Sequence, residues 1–289
     1  MYFYGKSDRG RVRRDNQDRC RIVRVFENCI LLVVCDGMGG AKGGEIASEL
    51  ASSLFTEEVT ARLHAHWGDD SDASLPYEAE MQGEICRVLD RAAQKANRAI
   101  FERAATEEAL SGMGTTLCAV LTVGAHLFVL NVGDSRAYRV SAKGMKQITH
   151  DHTYVQFLID CGELTPGEAA LSKEKNVITR SLGTEASVAA DRFAGELHGR
   201  GYLLLCTDGL YNSLPPETVS EAVLAEPEAL GDVTDTDYEL EDKVNEAANK
   251  YAKESAEVAK LITECAAARQ HRDELDAQYV ALTQKGKRK

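Results

Sequence analysis

The sequence predicts an α+β fold, and three observations carry that prediction. Apolar, β-branched runs come in groups and do not alternate regularly with helices. Helical periodicity is confined to blocks between those groups. Three apolar runs end at an aspartate beside a glycine: Val34-Cys35-Asp36-Gly37, Asn131-Val132-Gly133-Asp134 and Cys206-Thr207-Asp208-Gly209. Strands in runs, then helices, then strands again point to packed layers rather than to repeated βαβ units.

The elements follow in order. Residues 20–26 alternate apolar and polar, and the pattern resumes at 30–35 after Glu27-Asn28, which reads as a hairpin. From Glu45 the period changes, with Ile46, Leu50, Leu54 and Phe55 at helical spacing. Residues 64–77 are polar, contain Pro76 and read as a loop. A second helix puts Ile85, Leu89, Ala92, Ala96 and Ile100 on one face and breaks at Ser111-Gly112-Met113-Gly114. Strand-like runs then cover 115–123, 126–132 and 137–140, residues 150–185 are mixed and polar, and 201–206 is a short apolar strand. The acidic segment 226–242 reads as a solvated loop. Helix formers dominate from 241 to about 270, with Val244, Ala247, Tyr251, Val258, Leu261, Ile262 and Cys265 along one stripe. A last strand at 279–282 precedes a basic tail at 285–289. With no repeat and no Pro/Gly/Ser linker, residues 1–289 read as one domain with an acidic insertion at 226–242.

Composition removes whole classes of function. Of 289 residues, 34 are Lys or Arg and 46 are Asp or Glu, a net charge of −12, while 44% are apolar or aromatic. That apolar share supports a sizeable core and excludes disorder for most of the chain. The acidic balance argues against a nucleic-acid partner, because a phosphate backbone calls for a basic surface. The eight cysteines include no Cys-x-x-Cys pair, so a zinc ribbon or thioredoxin-like site finds no support. Cys35, Cys118 and Cys206 sit inside apolar runs as small hydrophobes, which points to a reducing compartment. The first residues, Met1-Tyr2-Phe3-Tyr4-Gly5-Lys6, hold no signal-peptide core, and the longest purely apolar run, 29–35, falls well short of the ~20 residues that span a bilayer. The expectation is a soluble, cytoplasmic protein with no membrane partner.

The three Asp-Gly neighbourhoods admit two readings. Each alone is a turn. Three together fit that reading poorly, since only Asp134 precedes an immediate partner strand. Converging carboxylates stay ionised only if a cation sits between them. Oxygen-only ligands select hard ions such as Mg²⁺ or Mn²⁺, and two such ions about 3.5–4 Å apart can acidify a water and polarise a phosphoryl oxygen. Arg9, Arg11, Arg13 and Arg14 precede Asn16-Gln17-Asp18, and Arg136 follows Asp134 by two residues. A guanidinium fork matches phosphate, although arginines near a terminus are also ordinary solvated surface.

Six ordered motifs now carry a resemblance. They are Ser7-Asp8-x-Gly10-x-Val12-Arg13-x-x-Asn16-Gln17-Asp18, Asp36-Gly37-Met38-Gly39-Gly40, Gly112-Met113-Gly114-Thr115-Thr116, Val132-Gly133-Asp134-Ser135-Arg136-Ala137-Tyr138, Thr149-His150-Asp151-His152-Thr153 and Thr207-Asp208-Gly209-Leu210. In this order, over residues 5 to 215, the chain resembles the metal-dependent type 2C Ser/Thr protein phosphatases, most of all their bacterial branch. The resemblance implies a four-layer α+β sandwich: two antiparallel sheets packed face to face, flanked by helices, with Mn²⁺ or Mg²⁺ in a cleft at one edge. It implies that Asp36 and Asp208 hold two ions with the Gly37 carbonyl, that Asp18 reaches a metal through water, and that Asp134 helps hold a third, weaker ion. Arg13 would hold the substrate phosphate, and residues 152–180 would form a flap over the site. The implied substrates are phosphoserine and phosphothreonine on proteins, with an opposing Ser/Thr kinase in a bacterial cytoplasm.

The chain departs from the family pattern at three points. Gln17 stands where glutamate is usual, and Met38 stands where eukaryotic members carry histidine and bacterial ones commonly methionine. The closing Asp-Asn ligand motif is replaced: the following strand favours Asp276 as the last metal ligand, and ungapped extension from the preceding helix favours Asp273. These changes leave a competing class open, a catalytically impaired member that binds phosphoproteins or regulates. Retention of Arg13, Asp36, Asp134 and Asp208 opposes it. His150-Asp151-His152 as ligands of another phosphohydrolase lacks the further histidines such a site needs, and the Gly37–Gly44 cluster (residues 37–44) lacks the Gly-Lys-Ser/Thr of a nucleotide loop.

Overall fold

A computed structural model describes residues 3–8, 15–75, 77–78 and 81–225. Two compact units divide between Asn212 and Ser213. The elements of the first are β1 (Asp18–Phe26), β2 (Cys29–Met38), α1 (Gly40–Trp67), α2 (Met81–Thr106), a 3₁₀ turn (Glu108–Leu110), β3 (Gly114–Thr115), β4 (Leu117–Val123), β5 (His126–Val132), β6 (Arg136–Ser141), β7 (Gly144–Gln147), α3 (Tyr154–Asp160), α4 (Pro166–Leu171), β8 (Asp191–Glu196), β9 (Tyr202–Cys206) and α5 (Asp208–Tyr211). The second contributes α6 (Pro216–Leu224). The expected helix over 241–270, the strand at 279–282, the acidic segment and the basic tail all lie outside the described residues.

Among the described residues all strand pairs are antiparallel. One sheet runs β1-β2-β4-β5-β8, with β3 attached to β2, and the other runs β7-β6-β9. Because neighbours reverse direction, the start of β1, the end of β2, the start of β4, the end of β5 and the start of β8 share one edge of the first sheet. The predicted 20–26/30–35 hairpin is there, irregular between Arg24 and Phe26.

The alternation of side chains along β2 explains its unbroken apolar run. Leu31, Val33 and Cys35 face the α1/α2 layer, with Ala51, Phe55, Val59, Ile85, Leu89 and Ile100. Leu32 and Val34 face the second sheet, among Cys118, Val120, Val129, Ala137, Leu203 and Leu205. A strand buried on both faces has no polar face to show. Helix layer, sheet and second sheet are thus stacked in that order, which bears out the α+β sandwich.

Three departures from the sequence reading have local causes. Helix α1 starts at Gly40, five residues before the apolar period begins, with Gly39 left-handed at φ 113° as its N-cap. Gly44 packs so closely on Gly37 that a Cβ would come within 2.6 Å of the Gly37 carbonyl carbon. Tertiary contact therefore places glycines where propensity predicts a loop. The same helix runs on to Trp67, so the predicted loop starts at Gly68, whose N–H reaches the His64 carbonyl at 2.8 Å. The predicted strand 115–123 breaks at Thr116, which turns its hydrogen bonds to Asp36.

The segment 153–178 leaves and returns through an antiparallel bridge, Thr153 with Ile178, and Thr179 N–H bonds the His152 carbonyl at 2.8 Å. Buried His152 pins that base. Its Nδ1 accepts from Gly133 N–H at 3.0 Å and its Nε2 lies 3.2 Å from Asp191, with Arg180 alongside and His150 nearby. Burial pushes the imidazole pKa below its ordinary value, against the opposing pull of Asp191.

Of the cysteines, the seven described are all free, and burial pushes Cys29 and Cys206 up to about 12. Among the described residues no helix is long and apolar enough to cross a membrane.

Two outcomes follow from this packing. Phe55→Ala removes a fully buried ring and should cost about 3–5 kcal/mol, read by chemical denaturation. For His152 the unfolded chain binds the extra proton more readily, so stability should fall as pH drops through about 6.5, the unfolded value. The melting temperature between pH 7.5 and 5.5 should fall less in His152→Gln than in the parent; equal falls would remove His152 as the cause.

Candidate active site

The site begins with a register. In the β1/β2 ladder Asp18 stands directly opposite Asp36. Like charges in that relation are destabilising. The local structure nevertheless fixes both. Asp36 N–H donates to Thr116 Oγ1 at 2.8 Å, and its carbonyl accepts from Thr116 N–H and Thr115 Oγ1, each at 2.9 Å. Thr116 and Ser135 hydroxyls meet at 2.7 Å, which ties this clamp to the β5–β6 turn. Thr207 Oγ1 donates to Asp18 Oδ2 at 2.9 Å, and Asp18 N–H donates to Asn16 Oδ1 at 3.0 Å. Gly37 N–H donates to the Gln17 carbonyl at 3.2 Å.

The other two aspartates arrive from turns. Asp134 follows left-handed Gly133, where a Cβ would fall 2.6 Å from the Thr116 methyl, so only glycine fits. Its residue is 5% exposed. Asp208 opens α5 directly after β9, and Asn212 Nδ2 donates to its Oδ2 at 3.2 Å.

The electrostatics follow from this gathering. Burial first, then the charges of Asp18, Asp208 and Asp134, push the Asp36 carboxyl up to about 8. Burial, then Asp208 and Asp151, push Asp134 up to about 6. Each charge presses on the others. Among the described residues, however, no three His, Cys, Asp or Glu side chains already close around a single point. The four aspartates interact as charges across a gap. Their chemistry suits a hard divalent cation: every donor is oxygen, the carboxylates repel, and the nearby Gly37 adds a carbonyl.

Asp18, Asp36, Gly37, Asp134 and Asp208 are thus brought to one edge of the first compact unit. Arg13, Asp273 and Asp276 lie outside the described residues. Arg136 corrects its reading as a candidate phosphate fork. Its Nε lies 3.0 and 2.9 Å from the two Asp151 oxygens and its Nη2 2.6 Å from Oδ2, while Nη1 donates to Tyr138 Oη at 3.0 Å. That guanidinium is committed inside the protein. The histidines flanking Asp151 separate: His152 is buried as described, and His150 pairs with Asp160 at 2.8 Å. Gln17 takes a role glutamate could not, donating Nε2 to the Gly40 carbonyl at 2.7 Å. The segment 152–180 holds α3 and α4 and carries the exposed side chains of Tyr154, Phe157, Leu171 and Val177.

Sequence reasoning missed Thr207 and Tyr211. Tyr211 lies three residues after Asp208, a spacing that in a helical turn puts both on one side. That spacing was the available signal, but the assignment of α5 as helix was not.

Comparison with known proteins identifies the family. The protein phosphatase 2C family model matches residues 8–244. The serine/threonine phosphatase stp of Listeria welshimeri is 35% identical over 238 residues, 81% of this chain and 87% of that protein. PstP, a serine/threonine protein phosphatase of Mycobacterium tuberculosis, is 38% identical over 223 residues, 77% of this chain and 39% of PstP. The Stp1 crystal structure from Staphylococcus aureus superposes with a TM-score of 0.69 at 30% identity, covering 86% of this chain and 88% of that one. The PstP catalytic domain in complex with two manganese ions gives 0.63 at 34%, covering 85% and 90%. A family match over most of the length, and relatives named for one activity, lead to one conclusion: the chain belongs to the protein phosphatase 2C family, in its bacterial branch, and is a protein serine/threonine phosphatase.

Proposed function

We propose that this phosphatase acts with divalent ions on phosphoserine and phosphothreonine of protein substrates, opposing a Ser/Thr kinase in a bacterial cytoplasm. The observation that carries the metal reading is the facing of Asp18 and Asp36 across one rung of a ladder, with Asp208 and Asp134 acting on the same carboxylate. The PstP relative, crystallised with two manganese ions, supports it. Asp36 and Asp208 would hold two ions, the Gly37 carbonyl would add a ligand, Asp18 would act through water, and Asp134 would serve a third, weaker site. Bound Mn²⁺ or Mg²⁺ would supply an acidified water and offset the charge of the phosphoryl group.

The remaining roles belong to the chain's own groups. Thr115 and Thr116 hold the Asp36 backbone from two sides, so its carboxylate needs little reorganisation. Thr207 fixes one oxygen of Asp18. Arg13 would orient the substrate phosphate with its planar fork, turning an encounter into a positioned one. Asp276, or Asp273 in its place, would complete the ligands.

Purified protein should hydrolyse a phosphothreonine peptide with Mn²⁺ or Mg²⁺ and stop on addition of EDTA. Turnover undiminished by EDTA would sink the metal reading. Asp36→Asn and Asp208→Asn should each lower Mn²⁺-dependent turnover by about 100-fold or more, with the circular dichroism spectrum unchanged. Full activity in either would remove that residue from the site. Of Asp276→Ala and Asp273→Ala, the first should lose Mn²⁺ affinity and the second should not; the reverse result would move the last ligand to Asp273.

A further inference from the structure

Tyr211 stands in the single turn of α5 that begins at Asp208. Its hydroxyl lies 3.0 Å from the Asp134 carbonyl oxygen and 3.3 Å from Asp134 Oδ2 and donates to both. Its ring receives the Arg136 guanidinium face-on, with the central carbon 3.6 Å from the ring centroid. That guanidinium is itself locked by its fork on Asp151, and Gln147 Nε2 holds Asp151 Oδ1 at 2.8 Å. The phenol is therefore clamped from the β6–β7 side, and its one polar group is directed at Asp134. The ring alone would satisfy the contact with Arg136. The hydroxyl serves a different partner.

We propose that Tyr211 is a positioning residue for Asp134: its hydroxyl fixes the Asp134 carboxylate relative to Asp208 and so sets how tightly that pair of carboxylates holds a divalent ion. One turn of helix then carries both Asp208 and the group that orients its neighbour. A carboxylate free to rotate would have to be ordered at the moment of ion binding, whereas one already held does not. The inference rests on the reading of Asp134 as a cation ligand and adds a residue to it.

The test is Mn²⁺ binding to the full chain without substrate, followed by titration calorimetry and by the electron paramagnetic resonance signal of free Mn²⁺. Tyr211→Phe keeps the ring and its Arg136 contact. It should weaken the weakest Mn²⁺ site by about ten-fold, the scale of one hydrogen bond to a charged group, and lower the metal-free melting temperature by no more than the loss of one hydrogen bond accounts for. Asp134→Asn should lose that site, and adding Tyr211→Phe to it should change nothing more. An isotherm for Tyr211→Phe that superposes on the parent would overturn the positioning role. So would a Tyr211→Phe effect that persists undiminished beside Asp134→Asn. Retention of every Mn²⁺ site by Asp134→Asn would instead overturn the ligand reading beneath it, and the two failures are told apart by which variant is silent.

Discussion

Two carboxylates of like charge face each other across adjacent strands, and much of the local structure exists to keep them there. The β1/β2 ladder sets Asp18 against Asp36 as the first of eight paired positions, the last being Phe26 with Cys29. Neither aspartate can move away without giving up that register, because a slip of one residue would exchange the side chains of β2 between two apolar layers of different shape. Register in a strand buried on both sides is fixed by the core and not by the charges. The core therefore imposes the repulsion, and a cation is the natural compensation. Burial on β2, and then the neighbouring carboxylates, raise the Asp36 carboxyl to about 8.

The same logic shows how much of the site was legible in the sequence. The aspartates at strand ends were readable because each sits beside glycine after an apolar run, a local pattern. Their convergence depended on antiparallel order, which the motif resemblance supplied and the strand-by-strand reading did not. Strand β8, Asp191–Glu196, carries only one large apolar side chain, Phe193, and its exposed face left no alternation to find. Helix α1 began early because Gly43 and Gly44 accept the close approach of Gly37 and Met113, and no propensity scale contains that neighbour. Arg136 was misassigned for a related reason: a fork that fits phosphate fits a carboxylate equally well, and only the fold reveals that Asp151 lies closer.

Gln17 illustrates how a departure from a family pattern can be read physically. A glutamate there would face the Gly40 carbonyl, where only a donor is satisfied. The amide supplies that donor and ties the segment leading into Asp18 to the start of α1. The substitution removes a negative charge from a region already crowded with them, and it replaces that charge with a mechanical link. Loss of charge and gain of order act in opposite directions on ion binding, so the change is no evidence of an impaired site by itself.

The carboxylates come from both sheets, and this makes the inter-sheet core part of the active site. Asp18 and Asp36 belong to the first sheet, whereas Asp208 follows β9 of the second. Their separation is set by what lies between the sheets: Cys118, Val120 and Val129 on one side, Ala137, Leu203 and Leu205 on the other. Cys118, Val120, Val129 and Ala137 are buried there, and close-packed interiors transmit a change of even one methylene. The hydroxyls of Thr115, Thr116, Thr207 and Tyr211 tie the surrounding framework to these aspartates by hydrogen bond, through Asp36, Asp18 and Asp134. Positioning in this enzyme is thus shared between a buried apolar layer that sets distances and hydroxyls that set orientations.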